Sequence, residues 1–320
     1  MPNSASTLLD RLSVPAIAAP MFLVSGPDLV VETCRAGIMG TFPALNQRTS
    51  EGYAAWLDEI RERLDKVHAA TGIVPSPFAV NLIVHKTNAR LARDVEITVQ
   101  HKVPVVITSL GAVRDVVDAV HSYGGLVFHD VINLRHANKA ADAGVDGLIA
   151  VCAGAGGHTG LLNPFAFVTE IRQFFDKTLI LSGAITNGRH IAAARMMGAD
   201  LAYLGTRFIN TREALAPQEY KDMIRASAAQ DIVYTSAISG VHGNFLRPSI
   251  IAAGADPDNL QSSVKLDISA HRETRAWKEV WSAGHGVGGI HDTIPAAELC
   301  QRLAAEYRQA IAELCANKAK

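Results

Sequence analysis

Gly144-Val145-Asp146-Gly147-Leu148-Ile149-Ala150-Val151 and Gly198-Ala199-Asp200-Leu201-Ala202-Tyr203-Leu204 carry one message twice. In each, a glycine suited to stopping a helix is followed by an aspartate and a short apolar run, as where one βα unit ends and the next strand begins. Working outward, short apolar runs alternate with amphipathic stretches, the pattern of a parallel sheet buried on both faces. Eight runs read as strands: Ala16 to Ala19, Met39 to Phe42, Phe78 to Leu82, Val105 to Thr108, Leu126 to His129, Gly147 to Val151, Leu179 to Ser182 and Leu201 to Leu204. Between them the spacing predicts helices over Tyr53 to Ala70, Ala89 to His101, Val113 to Tyr123, Leu134 to Ala143, Phe165 to Phe175 and Arg189 to Met197, several closed by Gly72, Gly124, Gly144 or Gly198. Eight βα units favour an α/β (β/α)8 TIM barrel over a doubly wound sheet.

After the eighth strand the alternation fails. Ala214 to Ala228 reads as a helix, Ile232 to Ser239 is mixed, and Gly240 to Pro257 is rich in Gly, Pro and Asn. The expected organisation is a barrel of residues 1–212 and 276–320, with a smaller cap segment, 213–275, inserted after strand eight. A last amphipathic helix, about Ala296 to Ala316 with Leu299, Leu303, Tyr307, Ile311 and Leu314 at near-3.5 spacing, is expected to return and cover the barrel.

The 320 residues accommodate one barrel of about 250 residues plus an extra segment. Thirty basic and 31 acidic residues leave a net charge of −1 without a run of like charge, which argues against nucleic-acid or anionic-membrane binding. The apolar stretch Val14 to Ala19 is short, interrupted by proline and without a basic leader, so it makes a poor signal peptide; no apolar run approaches the roughly 18 residues of a membrane span. Cys34, Cys152, Cys300 and Cys315 are scattered, with neither a C-x-x-C pair nor metal-ligand spacing. A metal-free enzyme of the reducing cytoplasm is expected, and a homodimer is compatible with it.

Active sites of such barrels sit at the C-terminal ends of the strands. Four places there stand out. Ala19-Pro20-Met21-Phe22 puts a proline at the end of strand one, holding the chain extended at the mouth or simply ending the strand. Ala153-Gly154-Ala155-Gly156-Gly157-His158-Thr159-Gly160, after strand six, is glycine-rich beyond any evident folding need, so its backbone suits close approach to a planar or anionic ligand. His158 is then placed to abstract, donate or orient a proton near neutral pH; the alternative is a surface histidine on a flexible loop. Ser182-Gly183-Ala184 after strand seven and Gly205-Thr206-Arg207-Phe208 after strand eight occupy the usual phosphate site of these barrels. Arg207 adds charge there or forms a structural ion pair. Together these loops imply a phosphorylated planar cofactor.

On Ala19-Pro20-Met21, Val80-Asn81-Leu82, Ala155 to Gly160, Gly205 to Phe208 and Trp281-Ser282-Ala283-Gly284, the chain resembles the nitronate monooxygenase (2-nitropropane dioxygenase) family over nearly its whole length. That family is similar to the FMN-dependent enoyl and quinone reductases. The resemblance implies an FMN ring held by Ala19, Pro20, Met21 and Asn81, with its phosphate at Ser182, Gly183, Ala184, Gly205 and Thr206. It also implies that the Gly156-Gly157 backbone lies close to the ring and that His158 faces its reactive side, as base or orienter in oxidation of a nitronate by O2.

The chain departs from the family at several positions. Gly183-Ala184 stands where the family has Gly-Gly, Ala18 and His285 stand where it often has Gln, and Asp130 stands where some relatives place a flavin-adjacent lysine. A carboxylate there does not stabilise an anionic reduced ring as an ammonium does. The rival reading is a reductase that uses NAD(P)H as co-substrate and acts on a quinone or enoyl thioester. A flavin-free phosphate-binding lyase or isomerase lacks a convincing lysine or carboxylate pair at the strand ends. His121, His136, His190 and His271 read as helix-face histidines, His242 and His285 as pocket candidates, and Cys152 as a small buried residue.

Overall fold

A computed structural model of the chain describes residues 10–111, 114–261 and 280–316. Eight parallel strands close into a barrel: β1 Ala16–Ala18, β2 Met39–Pro43, β3 Ala79–Ile83, β4 Val105–Ser109, β5 Leu126–Val131, β6 Gly147–Val151, β7 Thr178–Ser182 and β8 Leu201–Leu204. Closure is made by β8 against β1, Ala16 opposite Ala202, Ile17 opposite Tyr203 and Ala18 opposite Leu204. The predicted strands agree to within two residues. Helices Ser50–Thr71, Leu91–Gln100, Arg114–His121, Leu134–Asp142, Pro164–Arg172 and Gly188–Met196 match the predicted ones. Pro27–Arg35 is an additional helix that the periodicity did not single out; Pro27, at its start, pre-sets the helical φ.

The repeated aspartates have one physical job. The Asp146 N–H donates to the Val127 carbonyl at 2.8 Å while its Oδ2 accepts from the Val127 N–H, also at 2.8 Å. Asp200 does the same to Leu179, at 2.6 and 2.8 Å. Each carboxylate thus satisfies the N–H of the second residue of a strand, and is itself held by His121 or Arg172.

Strand alternation divides the core in two. Outward residues such as Val80, Val106, Val127, Leu148 and Leu204 pack under the helices. Inward residues, including Ile17, Met39, Val105, Ile107, Phe128, Ile149 and Ile180, fill the barrel. One step higher the inward positions turn polar, with Asn81, Ser109, Asp130, Ser182 and Tyr203 forming the floor of the mouth.

After β8 come the helix Gln218–Ala226 and two antiparallel strands, β9 Ile232–Thr235 and β10 Gly243–Leu246. The Gly/Pro/Asn-rich stretch 240–257 is therefore structured: it holds β10 and the helix Arg247–Ala252, which Pro248 starts at its first turn. The last helix, Ala296–Ala316, lies on Gly188–Met196, and Glu306 caps the Gly188 N–H at 2.7 Å. Its buried face runs through Leu299, Cys300, Leu303, Ala304 and Ala310, while Leu314 is exposed, because a straight helix drifts off a 3.5-residue stripe over five turns. No helix among the described residues is long and apolar enough to cross a membrane.

Asp200→Ala is expected to cost about 1–3 kcal/mol in urea unfolding, since the buried Leu179 N–H loses its acceptor, and Asp200→Asn, which keeps a carbonyl there, less. Wild-type stability in the alanine variant would show that the clip contributes nothing.

Candidate active site

The loops at the C-terminal ends of the strands surround a cavity of about 910 Å³, at the upper end of the roughly 300–1,000 Å³ usual for ligand sites. Ala19, Pro20 and Met21, Gly205 and Thr206, Ser182 to Ala184, and Gly156 to His158 all line it. Residues separated by up to 187 positions are thus brought to one mouth, which is what barrel closure does to strand-end loops.

On the floor, Asn81 donates from Nδ2 to Ser109 Oγ at 2.8 Å, and Ser109 donates its proton to Asp130 Oδ2 at 2.5 Å. Asp130, expected just after strand five, is the fifth residue of β5 and points inward by alternation with Leu126 and Phe128. Burial pushes its carboxyl up to about 6, against the opposing Ser109 hydrogen bond. Tyr203 reaches the same floor from β8, with its phenol held neutral by burial and by the nearby Asp130 charge.

The glycine-rich segment after β6 is not a flexible loop. Gly157 and His158 form a two-residue strand paired with β10, His158 opposite Gly243 and Gly157 opposite Asn244, and Asn244 Nδ2 donates to the Ala155 carbonyl at 2.7 Å. Folding does need these glycines: Gly157 sits at φ 70°, and a Cβ on Gly156 would lie 2.8 Å from the Gly284 nitrogen and 3.0 Å from Thr206 Oγ1. His158 lines the cavity half-buried, with Nε2 3.2 Å from the buried Ser239 Oγ. Ser239 Oγ donates to the Val241 carbonyl at 2.8 Å, which leaves its lone pairs able to accept an imidazole N–H.

Of the two phosphate-type loops, the one after β7 carries a conformational cost. Ala184 adopts φ 54°, a left-handed conformation that favours glycine, which gives a physical reason for Gly-Gly in relatives. After β8, Thr206 Oγ1 accepts from the Gly284 N–H at 2.9 Å, tying this loop to the Ser282-Ala283-Gly284 segment. Arg207 resolves as a structural ion pair: it is 3% exposed, turned away from the cavity, and paired with Asp292.

The other histidines sort clearly. His242 is exposed and stacks on Tyr234 at 5.0 Å, and His285 is exposed with its backbone N–H on the Gly154 carbonyl; neither lines the cavity. His121 serves Asp146, His190 accepts from the Thr186 N–H at 3.3 Å, and His136 is among the residues that line the cavity. His271 lies outside the described residues. Cys152 is buried at the end of β6, its thiol pushed up to about 12 by burial. Ser109, Tyr203 and Ser239 were not anticipated. The first two were within reach of the sequence, since Val105-Ile107-Ser109 and Leu201-Tyr203 each continue an inward period-two series; Ser239 carries no such signal.

The nitronate monooxygenase family model matches residues 86–306. A nitronate monooxygenase of Paraburkholderia phytofirmans is 26% identical, with 94% of each chain covered. A hydroxy-methyl-oxo-octahydroindene-carboxyl-CoA dehydrogenase of Rhodococcus jostii is 24% identical over 88% of this chain and 76% of its own. Among solved structures, FabK from Thermotoga maritima superposes with a TM-score of 0.79 at 21% identity, covering 98% of each chain.

Ala184→Gly is expected to leave stability unchanged or to raise it by up to about 1 kcal/mol, because relief of the left-handed penalty of about 1–2 kcal/mol is partly offset by glycine's backbone entropy, about 0.5–1 kcal/mol. Calorimetric melting reads this; a clear loss would mean that the Ala184 methyl makes contacts worth more than the strain.

Proposed function

Because the chain belongs to the nitronate monooxygenase family, an oxidoreductase family, we propose that it is an FMN-dependent monooxygenase that oxidises alkyl nitronates with O2, with His158 as base or hydrogen-bonding orienter. One observation carries the reading: His158 is held on a strand, not a loose loop, at a cavity also lined by the segments after β7 and β8.

The residues present fit FMN. Ala19, Pro20 and Met21 offer an apolar surface; Asn81 and Asp130 line the same cavity; and two buried polar atoms, Asp130 Oδ1 and Tyr203 OH, have no hydrogen-bond partner among the described residues. Ser182, Gly183, Ala184, Gly205 and Thr206 would hold the phosphate, and Gly156-Gly157 would bring the backbone to the ring without side-chain bulk. Bound there, FMN would supply the redox chemistry, electron transfer from the substrate to O2. The chain's own part is positional. Ser239 holds the His158 ring through Nε2, which orients the imidazole at the cavity where it would accept a proton from, or orient, a substrate. The apolar wall excludes water from the contact.

A second reading, a reductase drawing hydride from NAD(P)H for a quinone or enoyl thioester, is favoured by basic groups in the cavity lining. Arg114, His136 and Lys139 belong to that lining, together with Ala140 and Ala143. Arg114 donates to the Asp142 backbone carbonyl, so its charge is not neutralised by that contact. The phosphate end of an acyl-CoA suits such basic groups, and the R. jostii relative is named for a carboxyl-CoA substrate.

Anaerobic mixing of the purified yellow protein with propyl nitronate is expected to bleach the flavin. Bleaching by NAD(P)H alone would establish the second reading, and a colourless protein that cannot be reconstituted with FMN would remove both. His158→Asn is expected to slow reduction by nitronate about 10²–10⁴-fold with FMN still bound; an unchanged rate excludes His158 from the reaction. In the second reading Arg114→Ala raises KM for an acyl-CoA about tenfold, the equivalent of roughly 1.4 kcal/mol.

A further inference from the structure

The turn that follows β1 is held in a conformation its own residues disfavour. Leu23 adopts φ 58°, the left-handed region that an L side chain resists, and at 40% exposure it gains little burial in return. Such a conformation persists only where neighbouring groups over-determine it, and positions of this kind gather at functional sites. The neighbour here is Asn46, the last residue of the short turn Ala44–Asn46 after β2, which is not among the residues that line the cavity.

Asn46 uses both ends of its amide on that turn. Its Oδ1 accepts from the Leu23 N–H at 2.9 Å, and its Nδ2 donates to the Met21 carbonyl at 3.0 Å and to the Ser25 carbonyl at 2.8 Å. The partners fix the amide's orientation, since the reverse would set its oxygen against two carbonyls. Buried Ser25 closes the turn from within: its Oγ accepts from the Met21 N–H at 3.0 Å and its own N–H donates to the Met21 carbonyl at 3.0 Å. What the turn presents to the cavity is Met21 and Phe22, both half-buried in its lining. Met21 also reaches across the barrel closure, because a Cβ on Gly205 would lie 3.9 Å from its Cγ and Sδ. We propose that Asn46 is a positioning residue of the active site, holding the turn at Leu23 in its strained form and thereby setting the Met21–Phe22 surface against FMN. This rests on the FMN reading.

Such a clamp acts on a population of turn conformers. Without the Asn46 amide the turn loses three hydrogen bonds and Leu23 relaxes to negative φ, which moves Met21 and Phe22 with it. FMN affinity then falls in proportion to the fraction of molecules that keep the clamped form. Glycine at position 23 removes the reason to relax, because it takes positive φ about as readily as negative. The two positions are therefore coupled: Leu23→Gly matters when the amide is missing and much less when it is present, whereas independent sites add.

The test is FMN binding by the apoprotein, read as quenching of flavin fluorescence well below the melting temperature, for wild type, Asn46→Ala, Leu23→Gly and the double variant. Asn46→Ala is expected to bind FMN about tenfold more weakly, and Leu23→Gly to recover about threefold of that loss in the double variant while changing wild-type affinity less. A residue that served stability alone would lower the melting temperature and leave FMN affinity below it unchanged. Wild-type affinity in Asn46→Ala, or an equal effect of Leu23→Gly in both backgrounds, overturns the inference. Because Asn46→Ala can misfold, hydrogen exchange at the Leu23 amide of the wild-type protein supplies a second reading. FMN at about 100 times its Kd should slow that exchange about tenfold or more, since the ligand binds only the clamped turn. Exchange that FMN leaves unchanged overturns the inference alone. Failure of the wild-type protein to bind FMN removes it together with the FMN reading.

Discussion

The pairing of β8 with β1 is the contact on which the rest of the molecule depends. Three register pairs, from Ala16–Ala202 to Ala18–Leu204, join residues nearly 190 positions apart and turn an open sheet into a barrel without edges. Once the sheet is closed, strand-end segments that are remote in sequence converge on one rim, and alternation along every strand sorts side chains between lumen and helix layer. Tyr203 shows both effects: it is paired to Ile17 across the closure and aimed at the floor of the mouth.

Lumen and mouth differ by a single step of the strands. Val105 and Ile107 belong to the apolar fill and Ser109 to the floor; Leu126 and Phe128 belong to the fill and Asp130 to the floor. A carboxyl at that height has low-dielectric packing beneath it, and burial raises its pKa to about 6.

The segment after β8 orders Gly157 and His158 through one strand. β10 takes Gly157 and His158 into its own sheet, so the imidazole is positioned by backbone hydrogen bonds and by Ser239, not by the loop's own stiffness. This explains why so many glycines cost the site little order: the entropy lost at Gly157 is offset by pairing with Asn244, and Gly156 is small because Gly284 and Thr206 lie against it.

The sequence by itself determined the eight strands, most of the helices, the barrel class and the segments that meet at its mouth. These follow from local rules: alternation, helix periodicity and glycine stops act over a few residues and are written in the residues themselves. The helix Pro27–Arg35 escaped, as did the order within 240–257, where turn-forming residues mask a strand whose stability comes from pairing elsewhere. Tertiary structure alone decided the rest. It set Arg207 against Asp292 and away from the cavity, excluded His242 and His285 from it, supplied Ser239 to His158, and left Asp130 Oδ1 and Tyr203 OH buried without partners among the described residues. Such facts depend on which distant groups share a few ångströms, and only closure of the barrel settles that.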